Sequence, residues 1–203
     1  MKESHSEGAV RPAISTRDMV IVSLFAVLTV VGGKINVPLP VSPVPMTLQT
    51  AVVLASGMLL GSRRGALAMT LYMTLGLIGL PVFAYGGGLQ SLLSPSFGFI
   101  VGFIFSAWTA GKICELADVA HEKSPRTEAR RLGIYITSCI AGMIVYDIIG
   151  ATWLYFNVKY IMGHAIGLYG ALTMGVLPYL LPDILKAAAV VVVAMIVSRR
   201  ISA

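Results

Sequence analysis

Leu177-Pro-Tyr-Leu-Leu-Pro-Asp-Ile-Leu-Lys-Ala-Ala-Ala-Val190 opens the last apolar run of the chain and carries two charges, Asp183 and Lys186, inside it. A charged side chain in hydrocarbon costs about 3 kcal/mol on insertion scales, so such residues are rare and face an interior or a cavity. The i, i+3 spacing puts both on one face of a helix. Pro182 is expected as the first helical residue, because its missing N–H has no intrahelical partner there in any case. The stretch therefore predicts a membrane helix that opens with a carboxylate and an ammonium side by side. Such a pair serves either mutual neutralisation within the bundle or a ligand that offers both donors and an acceptor.

The rest of the 203-residue chain agrees with a membrane setting: 57% of it is hydrophobic and only 12% charged. A soluble domain carries about 25% charged residues. Apolar runs, read against the ~20 residues that span a bilayer, give six segments, at about 18–33, 47–60, 65–80, 97–113, 132–156 and 178–197. The second and third are short and separated only by Gly61-Ser-Arg-Arg64, which predicts a tight helical hairpin. The fold class is thus an all-α integral membrane protein of six transmembrane helices. Residues 1–16 form a flexible cytoplasmic tail and 17–203 a single transmembrane domain. No cleavable signal is apparent in the polar tail.

Of the fifteen Lys and Arg, twelve fall on one side of such a bundle: Lys2, Arg11 and Arg17, Arg63 and Arg64, Lys112, Lys123, Arg126, Arg130 and Arg131, and Arg199 and Arg200. Only Lys34 and Lys159 fall on the other side, and Lys186 is intramembrane. The positive-inside rule then makes both termini cytoplasmic. It also accounts for the net charge of +6 without nucleic acid. Cys114 and Cys139 lie in or beside apolar segments and suggest no disulfide framework.

Two outer loops differ from ordinary linkers. Residues 34–46 hold four prolines, no acid, and apolar residues between them, which makes a stiff extended segment expected to pack on the protein as a lid. Residues 81–96 carry no charge and contain Gly86, Gly87 and Gly88, whose backbone is expected to come close to a ligand and present N–H groups to it. The third, 157–177, is read as a loop, and His5, His121 and His164 receive no role.

Counting ~1.5 Å per residue from the cytoplasmic anchors puts Asp183, Lys186 and Asp147 at depths of ~24, ~20 and ~22 Å, one layer in the outer third of a ~30 Å core. Either Asp147 is the counter-ion of Lys186, leaving Asp183 for a ligand, or all three line one polar site. The former is preferred. Ser23, Ala26, Thr29 and Gly33 recur three and four apart along the first segment, a stripe suited to close contact with an external helix. Gly57/Gly61 and Gly98/Gly102 read as packing contacts within the bundle. No phosphate-binding loop, metal-ligand cluster or serine elbow is present, so any ATP hydrolysis belongs to partners, and neither cofactor nor metal is expected.

Five ordered motifs, Pro43-Val-Pro-Met-Thr-Leu-Gln49, Gly76-Leu-Ile-Gly-Leu-Pro-Val82, Ser94-Pro-Ser-Phe-Gly98, Asp147-Ile-Ile-Gly-Ala-Thr-Trp153 and Pro182-Asp-Ile-Leu-Lys-Ala187, give the chain a family resemblance. It resembles the biotin-specific substrate-binding subunits (BioY type, S components) of energy-coupling factor transporters. The resemblance implies a non-enzymatic subunit of a prokaryotic cytoplasmic membrane that captures biotin from outside. It also implies a transmembrane coupling subunit and two cytoplasmic ATPases as partners. Substrate contacts are then expected at Asp183, Lys186 and Asp147, at Tyr85, Gly86, Gly87, Gly88 and Gln90 in the glycine loop, and at Gln49. Partner contacts are expected at Ser23, Ala26 and Val27. Family members carry alanines four apart in the first helix where Ser23 and Val27 stand here, and an arginine where this chain has Ile100. Their loop asparagine has Gln90 as its nearest amide. The biotin carboxylate is thus left to the glycine N–H groups or Lys34. Rival readings are an S component for another vitamin, or an intramembrane enzyme using the Asp147/Asp183/Lys186 layer.

Overall fold

The computed structural model describes residues 15–119 and 128–201. Most of the tail, with Lys2, His5 and Arg11, and part of the basic connection, with His121, Lys123 and Arg126, lie outside the described residues. Seven α-helices organise the remainder: α1 (Thr16–Lys34), α2 (Gln49–Leu60), α3 (Ser62–Leu77), α4 (Phe97–Val119), α5 (Glu128–Phe156), α6 (Leu168–Gly175) and α7 (Leu177–Ile201). Two short strands, β1 (Asn36–Val37) and β2 (Met46–Thr47), pair antiparallel between α1 and α2.

Four helical stretches, in α1, α4, α5 with its extension, and α7, are long and apolar enough to cross a membrane. α2 and α3, of 12 and 16 residues, are shorter; at ~1.5 Å per residue they reach only ~18 and ~24 Å. The expected hairpin between them is tighter than the sequence suggested. It turns through Gly61 alone, whose φ of 87° lies in the region glycine adopts without a Cβ clash. Arg63 and Arg64 therefore belong to the first turn of α3. Its N-terminus is capped from α4: the Glu115 carboxylate accepts from the N–H of the buried Ser62 at 2.7 Å and from its hydroxyl. At the start of α1, Ser15 and Asp18 form a capping box, each side chain accepting from the other's backbone N–H.

The bundle core is dense because small residues let backbones meet. Gly102 of α4 lies against the backbone of Tyr146 in α5, Gly98 against Trp153, and Gly57 of α2 against the Ala107 carbonyl. All three glycines, read from the sequence as packing residues, do pack within the bundle, while their fourth companion Gly61 makes the turn. Cys114 and Cys139 are both buried, the former with its sulfur 3.2 Å from the Ser138 hydroxyl.

Three features depart from the sequence reading. The stretch 157–177 is not wholly a loop: α5 continues as a π-helical turn over Asn157–Ile161, and α6 follows. Four glycines between 163 and 175 hide the short α6 from a periodicity search, yet it buries Ala171 and Gly175, the latter beside Leu154. α7 begins at Leu177, so Pro182 sits inside the helix rather than at its first position. The stripe on α1 is divided as well. Ala26, Thr29 and Gly33 are buried inside the bundle, Gly33 against the Gln49 side chain, whereas Ser23 and Val27 face outward. The four smallest positions thus do not form one outward face.

Basic residues gather at one end. Arg64 pairs with Asp18 at 3.0 Å and Arg199 with Glu128 at 2.7 Å, joining the start of α1 to the α2–α3 turn and the start of α5 to the end of α7. At the opposite end the connections 35–48 and 78–96 and the first turns of α7 enclose a cavity.

Candidate functional site

The cavity has a volume of about 210 Å3. Five of the helices contribute to its lining: the N-terminal turns of α2 and α4, Tyr146 of α5, Gly175 of α6 and the first turns of α7. Its walls are largely apolar and aromatic, with Phe99 and Phe103 set against Tyr146 at ring separations of 6.1 and 6.2 Å. Polar groups concentrate at two places.

The first is around Asp183 and Lys186, both in the lining. Asp183 is only 4% exposed. Its Oδ1 pairs with Lys186 Nζ and accepts from the Thr50 hydroxyl at 3.3 Å, while Oδ2 accepts from the Tyr146 hydroxyl. Lys186 Nζ also donates to the Thr47 carbonyl at 2.9 Å. A carboxylate has about four acceptor sites and an ammonium three donors. Three of the former and two of the latter are occupied. One acceptor, on Oδ2, and one donor, on Nζ, remain on two residues that both line the cavity. That is the complement of a cis N–H/C=O unit, as in a cyclic amide or urea, and both contacts would be charge-assisted.

Asp147 stands apart from this arrangement. It makes none of the ion pairs found among the described residues and does not line the cavity. A residue turns ~100° around a helix from its neighbour, and it is Tyr146 whose side chain reaches Asp183. The expectation that Asp147 neutralises Lys186 is corrected: Asp183 itself does so. Tyr146 and Thr50 were missed, since a tyrosine and a threonine in apolar runs carry no charge to mark them.

The second polar place is the segment 83–96. Tyr85, Gly87 and Gln90 line the cavity, with Ser91, Ser94 and Ser96. Gly86 and Gly88, at φ of 117° and 98°, shape the turn instead. Their N–H groups donate to the Phe83 and Gly76 carbonyls at 3.2 and 2.7 Å. The expectation that the three glycines present their N–H groups to a ligand thus fails for two of them, because Gly86 closes the turn on Phe83 and Gly88 ties it to the end of α3. Gln90 Nε2 donates to the Gly87 carbonyl at 3.3 Å.

Gln49 lines the cavity, but its amide is committed to the bundle: Nε2 donates to the Tyr72 hydroxyl and the Thr29 carbonyl, and Oε1 accepts from Thr47. It is a wall residue tied to α1 and α3. Lys34 gives its Nζ to the Phe83 carbonyl at 3.1 Å and is not among the lining residues. The proline-rich stretch packs on the protein as expected. Tyr179 of α7 donates to the Val44 carbonyl and accepts from the Ser42 hydroxyl, holding the loop over the cavity.

Known proteins share this architecture. A crystal structure of the S-component for biotin from an ECF-type ABC transporter superposes with a TM-score of 0.75 at 26% identity, covering 90% of this chain and 91% of that one. A probable biotin transporter BioY of Pyrococcus horikoshii is 35% identical over 182 residues, 89% of this chain and 96% of its own. A biotin transporter BioY of Thermotoga maritima is 32% identical, over 88% of this chain and 94% of its own. The model of the BioY family matches residues 2–203. With the match running through every helix that builds the cavity, the chain belongs to the BioY family.

Proposed function

We propose that the chain is the biotin-capturing subunit of an ATP-driven energy-coupling factor transporter. The observation that carries this is the vacant acceptor on Asp183 together with the vacant donor on Lys186. A ureido ring offers an N–H to the one and its carbonyl to the other. Thr50 and Tyr146 fix the carboxylate, and the Thr47 carbonyl fixes the ammonium, so the pair meets the ring without reorganising. Apolar and aromatic walls suit the fused sulfur ring and the acyl chain. Tyr85, Gly87 and Gln90 border the far end, Gly86 and Gly88 shape it, and Gln49 forms a wall. Asp147 lies outside the lining and makes no direct contact with the ligand.

In this reading the chain crosses the prokaryotic cytoplasmic membrane six times, through α1–α5 and α7, with α6 seated at the outer side. Both termini, and the basic end of the bundle, are cytoplasmic; residues 1–16 are a tail and 17–203 one substrate-binding unit. The cavity opens outward and biotin is delivered inward. The outward face of α1 around Ser23 and Val27 meets a transmembrane coupling subunit, with Ala26 packing behind it, and two cytoplasmic ATPases supply the energy. The chain itself performs no chemistry on its ligand. Native purification from membranes tests this: the mass of the small molecule released on denaturation should be that of intact biotin, and the coupling subunit and ATPases should accompany it. Release of an altered ligand or of a different vitamin overturns the reading.

A further inference from the structure

We infer that this pocket does not read the charge of its ligand's acid group, so that biotin and its uncharged carboxamide bind almost equally. The inference rests on the biotin reading above and concerns the other end of the ligand. Among the described residues, the charged side chains that line the cavity are Asp183 and Lys186, and each is committed to the other. With the ureido ring against that pair, the acyl chain runs toward Gln90, Ser91, Ser94 and Ser96.

These four side chains offer hydroxyls and an amide, each of which both donates and accepts. Ser94 Oγ and Ser96 Oγ lie 2.8 Å apart, so one hydroxyl donates to the other and the second keeps its proton for a ligand. Such a lining satisfies a carboxylate or a carboxamide alike. Tyr85 and Gln90 at this rim are exposed, so the acid group stays in contact with water. A charge left hydrated needs no counter-ion, and an ion pair formed there contributes little. Lys34, the nearest cation to this wall, is not among the lining residues and gives one of its three donors to the Phe83 carbonyl.

The full chain, purified in detergent, is titrated with biotin and separately with biotinamide. The two dissociation constants are expected to agree within about fivefold, the limit of what an exposed ion pair supplies, and their ratio is expected to be unchanged in Lys34→Met. Biotinamide weaker than biotin by more than about fivefold overturns the inference. So does a ratio that shifts on Lys34→Met, which would make Lys34 the reader of the charge. If biotin itself does not bind, the biotin reading falls and the inference with it, a result distinguishable from selective loss of the amide.

Discussion

The two ends of this bundle use the same chemistry for different purposes. At the basic end, Arg199 and Glu128 form an ion pair whose side chains are 59% and 68% exposed. At the cavity end, the side chains of Lys186 and Asp183 are 11% and 5% exposed. The exposed pair sits in water, where salt screens it and side-chain entropy opposes it. The buried pair is held from three sides by Thr50, Tyr146 and Thr47, and still has bonding capacity to spare. Ion pairs of similar composition therefore fasten helices at one end and hold a recognition surface at the other. What separates them is burial and the neighbours that fix them.

Substitutions can break that comparison. Asp183→Asn removes the counter-charge of a buried ammonium, a loss of about 3–5 kcal/mol. Biotin affinity measured by calorimetry should fall by at least about a hundredfold, and an unchanged constant would remove Asp183 from the site. Tyr146→Phe deletes one hydrogen bond to that carboxylate, worth about 1.5–3 kcal/mol. A tenfold or greater weakening is expected; wild-type affinity would mean that the hydroxyl only fills space. Thr50→Val takes away a longer contact on the other oxygen and should cost about fivefold, near 1 kcal/mol. If it cost more than Tyr146→Phe, the ranking of the two supports would be reversed. Arg199→Ala should leave affinity unchanged and lower stability by under about 1 kcal/mol, read from thermal unfolding in detergent. A large drop would show that the exposed pair is no mere fastening.

The long helices and the buried pair were legible in the sequence because both are violations or fulfilments of one rule, that hydrocarbon excludes charge. Asp183 and Lys186 stand out against Leu, Ile and Ala for that reason. Asp147 stood out equally and misled. Depth along a helix follows from counting, whereas the direction a side chain takes around it depends on how the helix is rotated in the bundle. Tyr146 and Thr50 carry no signal of their own, and only the fold brings them to Asp183. The glycine triplet shows the same limit: a sequence tells that positive φ is available there, but not that the turn consumes two of the N–H groups it creates. α6 was lost for lack of length.

The loop over the cavity touches α7 twice, through Tyr179 on Ser42 and Val44 and through Lys186 on the Thr47 carbonyl. Those attachments lie seven residues apart, two helical turns or ~10.5 Å along one axis. A segment pinned at two heights moves with its helix as a panel, not as a flap hung from its own ends. Any displacement of α7 would therefore carry the roof and the charged wall of the chamber together.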